Sequence, residues 1–382
     1  MSGFPGARRH WRLDPGVAQL NHGGFGATPV GVLQEQQRWR DLMERNPTDF
    51  LVRRLPGLLE EARIELAGFL GADPAGLAFV TNATAGIATA LAGLELEPGD
   101  EVLTTDHRYN AVRVQLDLLA ARTGATVVEA EVALPVTGAD DVAGAVTAAM
   151  TSRTRVLVLD HVTSPTGIVM PVELLAAHCR ERGVLTVVDG AQALAMLPLR
   201  LDELGVDYWT GNLHKWLCAP KSGAVLWARP EHRDALRPLV ASHSHHEGLL
   251  PAFDWTGTFD PSPLLSAPAA VELFAKLDWD DVRTHNRELA RDGALLVAGA
   301  LGTSLPVPDE MSGAMRAVPL GRTLDAAAAR EVELRLLTGH GIEVPLMPSR
   351  APAYVRVSAQ VYNQLDDYRR LAGALPCALA AV

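Results

Sequence analysis

Lys215 draws attention through its neighbours. It lies in Thr210-Gly211-Asn212-Leu213-His214-Lys215-Trp216, with Leu217 next. Leu213, Trp216 and Leu217 wall the amine off from water, and desolvation disfavours the ammonium form, so its pKa should fall. A partly neutral, buried amine is the reagent for Schiff-base chemistry with a carbonyl. A lone lysine ahead of a strand is usually a solvated surface residue, so the reading rests on what accompanies it. Upstream, Leu185-Thr186-Val187-Val188-Asp189-Gly190-Ala191-Gln192 reads as a buried strand ending in an acid. Such an acid points into the crevice at the top of an α/β sheet. A carboxylate there suits a pyridinium nitrogen. Phe79-Val80-Thr81-Asn82-Ala83-Thr84-Ala85-Gly86 joins a strand to an alanine-rich helix. Free N–H groups at that helix start would bind a phosphate, although a capped helix explains the segment equally well.

Further candidates lie at other turns. Asp106-His107-Arg108-Tyr109 follows the strand Glu101–Thr104, and an aromatic ring just past a strand end can stack on a flat heterocycle. Either His107 or Tyr109 could supply it. The apolar strand Arg155–Asp160 ends at His161-Val162-Thr163-Ser164-Pro165-Thr166-Gly167. Its hydroxyls could bond a phenolic oxygen, and Thr163 is expected within reach of the ring, although ordinary turn chemistry explains most of the motif. His214 could serve a phosphate or carry protons. His243, His245 and His246 invite a metal reading, but adjacent histidines on a loop are more often solvated, no Cys or Asp partner sits nearby at ligand spacing, and no metal is expected.

In order, Thr81–Gly86, Asp189-Gly190-Ala191-Gln192 and Asn212-Leu213-His214-Lys215 resemble the pattern of fold-type I, pyridoxal-phosphate enzymes of aminotransferase class V. The isopenicillin N epimerase-like branch is the nearer resemblance. It rests on Leu20–Gly26, Asn46-Pro47 with Phe50, Asp106–Tyr109, His214-Lys215-Trp216, Trp255-Thr256-Gly257-Thr258 and Arg356-Val357-Ser358 with Tyr362-Asn363. The resemblance implies a pyridoxal 5′-phosphate enzyme in which Lys215 carries the cofactor and acts as base, Asp189 holds the ring nitrogen, and His107, or Tyr109 in second place, stacks on the ring. It implies cofactor contacts from Ala83, Thr84, Thr163, Gln192, Asn212 and His214. Asn21 and His22 would line the substrate pocket, and Arg356 would clamp an α-carboxylate. Gly257 and Thr258 would reach a partner subunit's phosphate, giving a homodimer with shared sites.

The elements that must position these residues are legible as strand–helix alternation from residue 77 onward, the signature of a mostly parallel sheet covered by helices. The expected architecture is a large α/β cofactor domain with the N-terminal segment over 1–265 and a smaller C-terminal α/β domain over 266–382. In the latter, Ser266–Leu277, Asp280–Leu301 and Ala326–Gly339 read as helices; Met315–Pro319, Glu343–Leu346 and Ala353–Val357 read as strands. The 382 residues suffice for both. A net charge of −11 argues against nucleic acid and anionic membranes as partners. Cys179, Cys218 and Cys377 lack disulfide or metal spacing, pointing to a reducing, cytoplasmic setting. No apolar run reaches membrane-spanning length, and Met1–Pro5 lacks a signal-peptide core.

These parts suit removal of a Cα proton from an amino acid. Elimination, epimerisation, transamination and oxidative or decarboxylating variants all share that step. Two departures narrow the choice. Where the epimerase-like pattern has an arginine before Asp260, this chain has Phe259, which removes a fork for a distal carboxylate. Cysteine desulfurases need a thiol before the arginine strand, and Pro345–Pro352 contains none. The expectation is β-elimination from an S-substituted cysteine, with epimerisation as the alternative; the branch implies bacterial specialised metabolism.

Overall fold

A computed structural model describes residues 4–348 and 352–382. Positions 349–351 of the thiol-free Pro345–Pro352 stretch lie outside the described residues, as do the first three of Met1–Pro5. The strands in chain order are β1 Ala18–Gln19, β2 Leu77–Val80, β3 Glu101–Thr105, β4 Thr126–Ala130, β5 Thr154–Asp160 and β6 Leu185–Asp189. They continue as β7 Tyr208–Asn212, β8 Ala224–Ala228, β9 Met315–Pro319, β10 Ile342–Glu343, β11 Leu346–Met347 and β12 Tyr354–Ser358.

Seven strands form the main sheet in the order β2-β8-β7-β6-β5-β3-β4. β3 to β7 are parallel, whereas β8 runs antiparallel to both its neighbours. The continuous apolar runs of β5 and β6 are buried, as a parallel sheet covered on both faces requires. Their register pairs Asp160 with Asp189 and Asp189 with Thr210. The strand ends that carry chemistry are therefore neighbours, at the carboxyl edge where α/β sheets bind ligands.

A second sheet, β11-β12-β9, is antiparallel and packs on the helices Trp279–Leu301 and Leu365–Ala380. The predicted strand over Glu343–Leu346 is instead two short pieces. Val344-Pro345 separates them, and a proline cannot donate to a ladder. This second core also takes in Ala18 and Leu20, because β1 pairs in parallel with β10. Helix Ala267–Ala275 contributes Ala267 and Ala270 to the core under the main sheet. Among the described residues no helix is long and apolar enough to cross a membrane.

Candidate active site

A cavity of about 150 Å³ opens at the carboxyl ends of β5, β6 and β7, lined by Lys215, Asp189, Asp160, Tyr109, Gln192 and Ser164, among others. Lys215 follows β7 by three residues, in a turn closed by the Cys218 N–H donating to its carbonyl at 3.0 Å. Burial lowers its pKa to about 8; Asp189 and Asp160 oppose the drop, and Arg356 adds to it. A substantial share of Lys215 is thus neutral near physiological pH.

Asp189 ends β6, and one of its oxygens accepts from Ala191 N–H at 2.9 Å. Burial raises its pKa, while the Ala191 N–H and Lys215 restrain the rise. Asp160, in register on the next strand, is raised well above the usual carboxylate range by burial and by the charge of Asp189. Two buried carboxyls side by side disfavour double ionisation, and burial with the Asp189 charge favours the protonated form at Asp160. Asp160 is absent from the candidates read off the sequence. Its signal was present, since Val-Leu-Val-Leu-Asp160 has the same apolar-run-then-acid form as the strand of Asp189.

Helix Ala83–Ala92 starts at the opposite rim. Asn82 caps it by accepting from Ala85 N–H, and Asn212 accepts from Ala83 N–H at 2.9 Å. Asn212 therefore braces the helix start, and Ala83, Thr84 and His214 line the cavity there. Burial lowers the His214 pKa to about 4, and its buried Nδ1 has no hydrogen-bond partner. Arg356, on β12, is 4% exposed. It donates to the Ser164 carbonyl at 2.6 Å and to Asn21 Oδ1 at 3.0 Å, and its buried Nε is unpaired. Burial pulls its pKa down to about 10, which leaves it charged at neutral pH.

Several predicted contacts are placed differently. His107 is fully buried and does not line the cavity; Tyr109, two residues on and 45% exposed, does. The reason is a one-way relay beneath the floor. Ile168 N–H donates to Thr163 Oγ1, Thr163 hydroxyl to Thr166, Thr166 hydroxyl to His107 Nδ1 and His107 Nε2–H to the Val132 carbonyl, at 2.8, 2.8, 2.6 and 2.8 Å. The same relay turns Thr163 away from the cavity, and Val162 and Ser164 face it instead. His22 is also buried, behind Lys215; its neighbours Gly24 and Phe25 line the cavity in its place. Gln192 lines the cavity while donating to the Gly23 carbonyl and accepting from Trp216 Nε1–H, both at 2.8 Å.

Gly257 and Thr258 do not line this cavity. They sit in a loop whose neighbours Thr256 and Phe259 border a separate, mostly apolar groove with Leu239 and Val240. Phe259 packs against the core under the main sheet. The three cysteines are free, and none lines the cavity. No cluster of His, Cys, Asp and Glu among the described residues is arranged to hold a metal.

The residues fit the group that the sequence resemblance implies. The cavity offers an anion a place beside Ala83 and Thr84 at the helix start and the unpaired His214 nitrogen. A protonated ring nitrogen would meet Asp189, and Lys215, an amine of lowered pKa, lines the same cavity.

The aminotransferase class-V family pattern matches residues 37–371. Isopenicillin N epimerase of Amycolatopsis lactamdurans is 36% identical, the alignment covering 97% of each chain. L-cysteine desulfhydrase of Arabidopsis thaliana is 30% identical over 94% of this chain and 87% of its own. Among solved structures, the cystine C–S lyase C-DES in complex with cysteine persulfide superposes with a TM-score of 0.79 at 21% identity, covering 94% of this chain and 97% of that one. With its lysine and acid brought into one cavity at the carboxyl edge of the main sheet, this chain belongs to the aminotransferase class-V family.

Proposed function

We propose that the protein is a pyridoxal-phosphate enzyme that cleaves the C–S bond of cysteine or an S-substituted cysteine, releasing a thiol, pyruvate and ammonia. The observation that carries this reading is the make-up of the site: a lysine of lowered pKa lines the cavity, no cysteine does, and the buried Arg356 guanidinium donates to Ser164 of the cavity wall. The helix start at Ala83 and Thr84 with His214 would hold the cofactor's phosphate, Asp189 its ring nitrogen, Gln192 its phenolic oxygen and Tyr109 its ring face. Bound there, the cofactor supplies an electron sink for a carbanion at Cα.

The chain's own residues account for the rest. Arg356, already oriented by Ser164 and Asn21, grips the substrate carboxylate as a fork. Lys215 Nζ takes the Cα proton. As the Cβ–S bond breaks, its electron pair leaves on sulfur, which departs as the thiol after taking up a proton; water converts the three-carbon remainder into pyruvate and ammonia. The relatives named as L-cysteine desulfhydrases support this outcome. The isopenicillin N epimerase relatives support the second reading, epimerisation at Cα.

Gly257 and Thr258 are proposed to complete the cofactor site of a second copy in a homodimer. Their position away from their own chain's cavity, beside the exposed Leu239 and Val240, supports this. Incubating cofactor-loaded protein with cysteine and S-substituted cysteines in deuterated water tests the reaction. Thiol with pyruvate is the expected result. Intact substrate carrying deuterium at an inverted Cα would replace elimination with epimerisation.

A further inference from the structure

His22 belongs to the motif expected to touch substrate, yet the fold puts it on the far side of Lys215. Its ring lies between Trp216 and Tyr362, with centroids 5.0 and 5.7 Å away. Nε2 is 3.0 Å from the Lys215 carbonyl and Nδ1 is 2.8 Å from the Tyr362 hydroxyl. A carbonyl only accepts, so Nε2 carries the hydrogen; Nδ1 then accepts, and the Tyr362 hydroxyl donates. Burial holds the imidazole neutral, its pKa lowered to about 3, so this single tautomer persists across the working range of pH.

The Lys215 carbonyl therefore has two donors, His22 Nε2–H and Cys218 N–H. The turn they hold is tight: Cys218 has φ 63°, a left-handed conformation that a residue with a Cβ rarely adopts. The Cys218 thiol is in turn held by the Gln360 amide at 3.7 Å. That amide cannot swing, because its oxygen accepts from Asn286 and from Val361 N–H at 2.9 and 2.8 Å. Gln360 and Tyr362 follow β12, the strand of Arg356, by a few residues. On the other side, His22 begins the short helix containing Gly24 and Phe25, which face the cavity.

We propose that His22, oriented by Tyr362, is the positioning residue for Lys215: it ties the turn carrying the catalytic amine to the segment carrying the carboxylate-binding Arg356. Binding at Arg356 and proton transfer at Lys215 are then set by one rigid assembly. A displacement of the amine by an ångström would be expensive in rate while leaving carboxylate binding intact. The proposal rests on the reading of Lys215 as the cofactor-bearing base.

Cofactor-loaded wild type, His22→Leu, His22→Gln and Tyr362→Phe are compared by steady-state kinetics and by pH titration of the visible cofactor band. Glutamine can offer an N–H near the Nε2 position, whereas leucine cannot. The expected result for His22→Leu is a kcat lower by about tenfold or more with KM within about twofold, and a band titration displaced to higher pH as water reaches a loosened Lys215. His22→Gln should recover most of both, and Tyr362→Phe should show a smaller loss of the same kind. A raised KM at unchanged kcat would make His22 a substrate contact and overturn the proposal. So would equal impairment of the leucine and glutamine variants, or an unmoved titration in all three. Should His22→Leu fail to fold, Tyr362→Phe, which leaves the ring in place, decides by the same two readouts. A wild-type band that survives in Lys215→Ala would remove the reading beneath the proposal, and the proposal with it.

Discussion

At the scale of single residues, the two buried acids make opposite predictions although they sit side by side. Burial and the Asp189 charge favour the neutral form of Asp160, so Asp160→Asn, a neutral replacement, should change kcat/KM by less than about threefold. Asp189→Asn removes the charge a ring nitrogen needs and should cost about a hundredfold or more. Comparable losses in both would mean that Asp160 ionises in the working enzyme. Lys215 supplies the pH dependence. Its lowered pKa of about 8 means that the reactive neutral form grows as pH rises through that value. In cofactor-free protein, the rate at which Lys215 reacts with an aldehyde, followed by reductive trapping and mass spectrometry, should climb through pH 8 and level off before an ordinary lysine is half neutral. Arg356→Lys keeps a charge but loses the fork, and KM for the amino acid should rise by about tenfold or more.

The sequence pointed to the lysine and the acid because each stands beside an apolar run or in a fixed motif, and the structure brings both into one cavity. It misdirected at His107, Thr163 and His22 for a shared reason. Each lies in a turn after a strand or beside a glycine pair, where facing depends on backbone angles that a period-two pattern does not encode. The relay from Ile168 to Val132 decides the side, and it links segments distant along the chain.

At the scale of elements, glycines set how closely the wall segments approach the lysine turn. Gly26 has φ 67°, and a Cβ there would lie 1.9 Å from the His214 carbonyl oxygen. Gly86, inside the helix that begins at Ala83, would put one 2.1 Å from Thr210 Oγ1. Neither backbone atom nor strand side chain can retreat far, so overpacking here should be costly. Gly26→Ala should lower stability by about 2–4 kcal/mol and loosen the cofactor, read by thermal melting with and without added pyridoxal phosphate. An unchanged melting temperature would show that the two segments slide apart without penalty. Strand–helix alternation and the main strand boundaries could be read from the local order of apolar and turn residues. The split at Val344-Pro345 and the pairing of β1 with β10 could not, since pairing across the whole chain leaves no local trace.

At the scale of the whole molecule, the groove with exposed Leu239 and Val240 suits burial against another copy. Light scattering should give twice the chain mass of 40.8 kDa. Two defective variants then test shared sites: Lys215→Ala lacks the amine, and Thr258→Asp sets a like charge against a phosphate. Each should be inactive alone, and random remixing should restore about a quarter of wild-type activity, since half the dimers would carry one intact site. No recovery, with mixed dimers present, would show that Thr258 serves its own chain.

The pairing of β1 with β10 also bears on how the protein is made. Ala18 and Leu20 leave the ribosome well before the strand and the core that receive them, which are assembled from residue 289 onward. The large sheet has all its strands once residue 228 has emerged, whereas β1, with Asn21 and His22 just after it, must wait for Ile342 and Glu343. The order of synthesis therefore separates the two parts of the fold: the strands of the main sheet are all made before the strand that seats Ala18 and Gln19 exists.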